Sequence, residues 1–290
     1  MIGPDGLAAF LLAPLDYEYM RNAIGGAAAV GAMCSILSCF VVLRGWSLLG
    51  DALSHAVVPG VAVAALLGLP LIGGALVAAG LAVVGIGIVE RNAALKSDAV
   101  IGVVFTTFFA VGLLIASLYP SGIRVNTILF GNLLGISDHD LGGVLVAGLI
   151  TLTVVLVKRR DLLAAAFDPV GARSVGLDTR MLHYLLLGLL SLTCVAALQA
   201  VGALLVVAML ITPGATARLL TDRFDRMLIL APVLGASVAA TGAYLSFFLD
   251  GAVGGCIVLL QCAVFLLAWL LAPRHGFLAL RSRRLQAVPA

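Results

Sequence analysis

Residues 47–68 read Ser-Leu-Leu-Gly-Asp-Ala-Leu-Ser-His-Ala-Val-Val-Pro-Gly-Val-Ala-Val-Ala-Ala-Leu-Leu-Gly, an apolar run interrupted by one carboxylate and one imidazole. Its length matches the ~20 residues that cross a bilayer. What flanks the run decides between a membrane span and the core helix of a soluble domain. Of the 290 residues, 62% are hydrophobic and 11% charged, with a mean hydropathy of +1.19. Soluble domains carry about 25% charge, so a soluble enzyme, a nucleic-acid binder and a disordered chain are excluded. The composition predicts an all-α, polytopic transmembrane protein forming one domain over residues 1–290, with lipid as its first partner.

Outward from this run, apolar stretches between polar punctuation give nine spans, at about 22–43, 47–68, 71–89, 99–119, 141–157, 183–198, 200–212, 228–248 and 254–272. The sixth and seventh are short and separated only by Gln199; merged, they would leave eight. The nine-span reading gathers Arg44, Arg91, Lys96 and the bases of the 158–182, 213–227 and 273–290 segments on one side, fifteen of 17 in all. Only Arg21 and Arg124 lie opposite. This bias puts the basic side in the cytosol, the N-terminus outside and the C-terminus inside. Merging spans six and seven would instead leave Lys158-Arg159-Arg160 outside. Residues 1–19 then form an extracytoplasmic segment and 273–290 a cytosolic tail. With Asp5, Asp16 and Glu18 and no basic start, residues 1–19 do not read as a cleavable signal peptide. Trp46, Tyr119, Tyr184 and Trp269 fall near span ends, as interfacial anchors do. Asp138, Asp140 and Asp250 join the three N-terminal acids to make the outer face net negative, which either draws in cations or is merely solvated surface. Cys34, Cys39, Cys194, Cys256 and Cys262 lack metal or disulfide spacing and read as small apolar fillers.

Two segments are neither span nor simple loop. Residues 121–138, apolar and interrupted by glycine, suit a re-entrant piece packed against protein. Residues 158–182 mix charge, a break at Pro169 and small residues. They suit short cytosolic helices offered to a soluble partner, or a plain connector.

The polar pair in the second span is the main candidate site. Asp51 and His55 are i, i+4, about 40° apart around a helix and roughly 6 Å along it, so carboxylate and imidazole converge on one point. Pro59 cannot donate to the His55 carbonyl, which frees a further oxygen. The pair is either an ion site or a hydrogen bond holding two helices together. One helix supplies too few ligands; a second copy would double the set to mixed O/N coordination fit for Mn²⁺, Zn²⁺ or Fe²⁺. If the span starts at Ser47, Asp51 lies only about 6 Å inside, and a central site requires residues 44–50 to dip inward. Enzyme motifs are missing: Leu249-Asp250-Gly251 has no HExxH partner, Leu48-Leu49-Gly50-Asp51 is not GxGD, and no GxxxxGK[ST] is present.

The stretch Leu43-Arg44-Gly45 through Gly50-Asp51-Ala-Leu-Ser54-His55-Ala-Val-Val-Pro59-Gly60 resembles the signature of the ABC-3 permeases, the membrane subunits of bacterial manganese, zinc and iron(II) importers. Asp98-Ala-Val-Ile-Gly102, Leu129-Phe130-Gly131 and Val201-Gly-Ala-Leu-Leu-Val through Thr212-Pro213-Gly214-Ala-Thr-Ala-Arg218 match in order, so that the resemblance covers residues 20–272. It departs at Val58, where leucine is usual, and at Gly214, where alanine is common.

The resemblance implies a fold related to the vitamin B12 and siderophore importer permeases, in the bacterial cytoplasmic membrane. It implies a homodimer, two cytosolic ATP-binding subunits and an extracytoplasmic metal-binding protein. Asp51 and His55 would be the metal-pathway ligands, supported by Gly50, Ser54, Pro59 and Gly60. Asp168, Pro169, Gly171, Ala172 and Gly176 would couple to the ATPase. No prosthetic group is implied; the metal is cargo, with Mn²⁺ ahead of Zn²⁺ and then Fe²⁺ on ligand hardness, and ATP belongs to the partner. The alternatives are a permease for a siderophore- or cobalamin-type chelate and, from another class, an ion-coupled secondary transporter.

Overall fold

In an apolar chain, helices stop where glycine, proline or a capping side chain offers the backbone another partner. The computed structural model describes residues 4–46, 48–92, 95, 97–119 and 133–272. Helix α1 (Pro4–Asp16) precedes α2 (Glu18–Arg44), which ends where Gly45 turns left-handed (φ 68°) and its amide meets the Val41 and Val42 carbonyls. The second span comes in two pieces, α3 (Leu49–Ala56) and α4 (Val58–Leu66), followed by α5 (Leu71–Asn92) and α6 (Ser97–Leu118). A 3-10 turn at Leu133–Gly135 leads to α7 (Asp138–Phe167), where the Ser137 hydroxyl accepts the Asp140 amide. Then come α8 (Pro169–Ser174), α9 (Thr179–Val201), α10 (Ala203–Leu220), α11 (Phe224–Leu249) and α12 (Val253–Leu271). With α3 and α4 taken as one, 9 segments among the described residues are long and apolar enough to cross a membrane.

The span count agrees with the sequence reading, but several boundaries move. The sixth and seventh spans part at Gly202, whose φ of 80° no ordinary side chain favours, and not at Gln199, which continues α9. The fifth span does not end at Val157. Lys158-Arg159-Arg160 are good helix formers, so α7 runs on until Asp168-Pro169, and only 168–178 of the expected loop remains non-spanning. The N-terminal segment is largely helical. The second span, read as continuous, breaks at Val57. Residues 120–132 and 273–290 lie outside the described residues, and with them most of the expected re-entrant piece, Arg124, Leu129-Phe130-Gly131 and the tail; Ser47 and Lys96 do so too.

The most enclosed span is α2, packed against α7, α9, α10 and α11, while α6, α7 and α12 turn most of their apolar surface outward. Lipid is as apolar as leucine, so close backbone approach and interhelical hydrogen bonds hold such helices together. Gly31 of α2 meets Gly235 of α11 backbone to backbone, and Gly60 of α4 meets Gly74 of α5. Thr151 and Thr193 bond across α7 and α9 at 3.1 Å. Ser38 of α2 clasps α10 on either side of Pro213, its hydroxyl donating to the Ile211 carbonyl (3.1 Å) and accepting the Gly214 amide (2.9 Å).

The Gly60–Gly74 crossing admits no Cβ: one on Gly74 would run into the Gly60 carbonyl and the Ala64 methyl, whereas one on Gly73 has open space. Gly74→Ala is therefore expected to destabilise the purified protein by about 1–3 kcal/mol, read as a lower unfolding temperature in detergent. Gly73→Ala should leave that temperature unchanged or raise it.

Candidate functional site

The connector between α2 and α3 decides where the polar pair sits. The Trp46 amide bonds the Val41 carbonyl (3.0 Å) and the Leu49 amide bonds the Trp46 carbonyl (3.3 Å), folding the chain back along the end of α2. Trp46 is consequently buried, 4% exposed, and is not the lipid-facing anchor its position suggested, whereas Tyr119 and Trp269 do lie exposed. Depth is read from the partner helix. The His55 ring lies 5.5 Å from Phe105 and 5.1 Å from Phe109, edge-on to the latter. These phenylalanines stand about 12 and 18 Å along α6, a helix of roughly 33 Å. The imidazole is thus about half-way along that helix.

Asp51 and His55 face one another on successive turns of α3, with Oδ1 3.4 Å from Nε2. That is longer than the 2.7–3.2 Å of a well-made N–H···O bond, so the pair touches without being locked. Asp51 is the more open of the two, its side chain 46% exposed against 21% for His55. It borders a cavity of about 420 Å³ between α3 and α6, edged by Ala99, Gly102, Val103 and Thr106. Two glycines or alanines there leave the carboxylate room. The other imidazole nitrogen, Nδ1, is buried with no hydrogen-bond partner among the described residues. Among the described residues no group of three His, Cys, Asp or Glu gathers to hold a metal, so one chain offers two donors and stops short of a complete site.

The supporting residues act through packing. A Cβ on Gly50 would lie 3.1 Å from Leu210, so its absence lets α3 close on α10. Ser54 spends its hydroxyl on the Gly50 carbonyl of its own helix, at 2.8 Å. Pro59 is covered by Gly112 of α6, and Gly60 makes the crossing with Gly74. The His55 carbonyl is not left bare as the proline argument suggested: at the helix break the Val57 amide turns to it. The three matched motifs within the described residues meet here, through Asp51 and His55, through Ala99 and Gly102, and through Leu210.

The second candidate segment forms one small capped helix, α8. Asp168 accepts the Gly171 amide at 2.8 Å, Pro169 opens the first turn, and a Cβ on Gly171 would strike the Asp168 carboxylate. Ala172 is buried and its carbonyl takes the Leu177 amide, while Gly176 closes the turn at φ 87°. The segment also shows Phe167, Val170 and Val175 to the outside, 63%, 76% and 82% exposed. These three, and the Phe105–Phe109 wall, were not singled out in the sequence, where an apolar residue in an apolar chain carries no mark.

The chain is similar to proteins named for transport. Residues 16–272 match the model of the ABC 3 transport family. The chelated iron transport system membrane protein YfeC of Yersinia pestis is 53% identical over 273 residues, covering 94% of this chain and 93% of that protein. The manganese transport system membrane protein MntB of a Synechocystis strain is 48% identical over 275 residues, covering 95% and 90%. Among solved structures, PsaBC from Streptococcus pneumoniae, determined in complex with a Fab, superposes with a TM-score of 0.84 at 36% identity, covering 94% of this chain and 99% of that one. An inward-facing metal-chelate type ABC transporter shares the fold at a TM-score of 0.70 and 16% identity, covering 86% and 84%.

Proposed function

The chain belongs to the ABC 3 transport family, and we propose that it conducts a divalent transition metal through the bacterial cytoplasmic membrane by alternating access. The Asp51–His55 pair carries this reading. An imidazole with a buried nitrogen that has no partner among the described residues stands half-way along α6, and a carboxylate one turn before it opens to a cavity, where bare charge is costly. Two chains facing each other would bring two carboxylates and two imidazoles to the pathway. Such a set is hard enough for Mn²⁺ and basic enough for Fe²⁺ or Zn²⁺. Mn²⁺ is the preferred cargo, and relatives named for manganese and for iron support these two metals.

In this scheme an extracytoplasmic metal-binding protein delivers the ion to the acidic outer face. The paired residues accept it transiently: coordination must be strong enough to replace water and incomplete enough to release. Two cytosolic ATP-binding subunits grip α8, where the exposed Val170 and Val175 give an apolar partner something to cover. The chain itself lacks a nucleotide-binding loop, so ATP hydrolysis belongs to those subunits. The N-terminus lies outside and the C-terminus in the cytosol, on the strength of the basic-residue bias. A chelate would need a wide, ligand-free path, which the pair obstructs.

Asp51→Ala and His55→Ala are each expected to lower manganese accumulation in whole cells by about tenfold or more, with the protein still inserted at normal abundance. Normal uptake in both variants would refute the pathway assignment. For the coupling helix, Val170→Asp with Val175→Asp should reduce co-purification of the ATPase subunits and abolish uptake without lowering the melting temperature of the permease alone. Retained complex and uptake would remove α8 as the docking element.

A further inference from the structure

A second polar cluster lies at the basic ends of the spans, which the orientation above puts in the cytosol, and the metal pathway makes no use of it. Arg44, the last residue of α2, has Nη1 2.9 Å from His183 Nδ1 of α9, and its Nη2 donates to the Ala165 carbonyl of α7 at 3.3 Å. Beyond the ring, His183 Nε2 lies 3.3 Å from Glu90 Oε2 of α5, and the other Glu90 oxygen accepts the hydroxyl of Ser97, the first residue of α6. The Arg44 guanidinium sits over the Trp46 ring at 4.8 Å, and Trp46 meets the His183 ring edge-on at 5.3 Å.

The chemistry fixes the direction of each bond. A guanidinium only donates and stays charged, so His183 Nδ1 must be the bare acceptor. The single ring proton then sits on Nε2, on the side of the Glu90 carboxylate 3.3 Å away. Positive and negative ends are joined through a neutral ring in one order, Arg44 to His183 to Glu90. A metal does not fit here: Arg44 occupies one ring nitrogen, and Arg91, Arg173 and Arg180 line the adjoining recess of about 320 Å³.

The position gives the cluster its role. Ala165 stands three residues before Asp168, the cap of α8, while Arg44 directly precedes Gly45 and the connector into α3. One side chain thus bridges the end of the ATPase-docking segment and the start of the helix that carries Asp51 and His55. His183 ties the same guanidinium to α9, and beyond the ring Glu90 and Ser97 extend the contact to α5 and α6. With side chains 19% and 26% exposed, they border a recess and are not sealed in apolar packing, so the bonds can open and reform.

We propose that Arg44, His183 and Glu90 are positioning residues forming a latch that transmits movement of α8 to α3, so that ATP turnover is spent on switching access at the metal site. This rests on the permease reading above. The test uses the assembled transporter in proteoliposomes with its ATP-binding subunits and metal-binding protein, measuring manganese uptake and ATP hydrolysis on the same vesicles. His183→Leu is expected to lower the uptake-to-hydrolysis ratio about tenfold while hydrolysis continues. In His183→Gln the amide oxygen can accept from Arg44 and the amide nitrogen donate to Glu90, so the ratio should return to within about twofold of the parent. A structural filler would not show that rescue. An unchanged ratio in His183→Leu, or a glutamine variant no better than leucine, overturns the latch. Should His183→Leu not fold, Glu90→Gln removes the charge at nearly constant shape and must lower the ratio, or the proposal fails. Asp51→Ala measured alongside separates the two ideas: if it alone abolishes uptake, the latch is wrong and the pathway stands; if it transports normally, the pathway reading falls.

Discussion

A carboxylate and an imidazole on one short helix of an apolar chain need room and each other's company, and the second span of this chain is built around that constraint. The chain ends α2 on a left-handed Gly45, folds Trp46 back on the last turn of α2 and starts α3 at Leu49. The break at Val57 then separates the short polar piece from the apolar α4, so that α3 can sit against α10 and α6 without dragging the outer half of the span along. Glycine does the rest. Gly50 allows contact with Leu210 on one side, while Gly102 and Ala99 leave space on the other.

The scaffold around α3 has no apolar driving force between its helices, because lipid would cover them equally well. Its cohesion comes from backbone approach at Gly31–Gly235 and Gly60–Gly74 and from hydroxyls placed where helices cross. Ser38 shows the economy of this arrangement. One hydroxyl holds both the Ile211 carbonyl and the Gly214 amide, on either side of Pro213 in α10, the helix that presses Leu210 onto Gly50. The Thr212-Pro213-Gly214 motif and the Asp51–His55 motif are therefore mechanically adjacent, although some 160 residues of chain lie between them.

Much of this was legible because charge is scarce. With so few charged residues, each one marks a side of the membrane or a site, and the nine spans and the pair one turn apart followed directly. The boundaries were less legible. Gln199 is polar but a good helix former, whereas Gly202 is apolar by composition and breaks the helix by conformation. Lys158-Arg159-Arg160 suggested a loop because they are charged, yet arginine and lysine prolong helices into water. Trp46 was misread because a tryptophan at a span end is an anchor by statistics, and only tertiary packing reveals that it is buried against Arg44 and His183. The depth of the site was open in the sequence because it depends on which residues of α6 stand beside His55, a relation between helices that periodicity does not contain.

Asp51 and His55 stand 3.4 Å apart, whereas in the second cluster Arg44 and His183 meet at 2.9 Å, with Glu90 3.3 Å beyond the ring. A transport site that bound its own members well would have to break those bonds for every ion, adding a barrier at the place where release must be easy. An ordered contact between helix ends is better kept away from such a site, where opening it changes the relation of helices and not the affinity of a ligand set. The two clusters are joined along α2 and its connector: a loosely made pair on α3, and a second group at the end of α2, where Arg44 reaches His183 of α9 and the Ala165 carbonyl of α7, with Glu90 of α5 and Ser97 of α6 beyond.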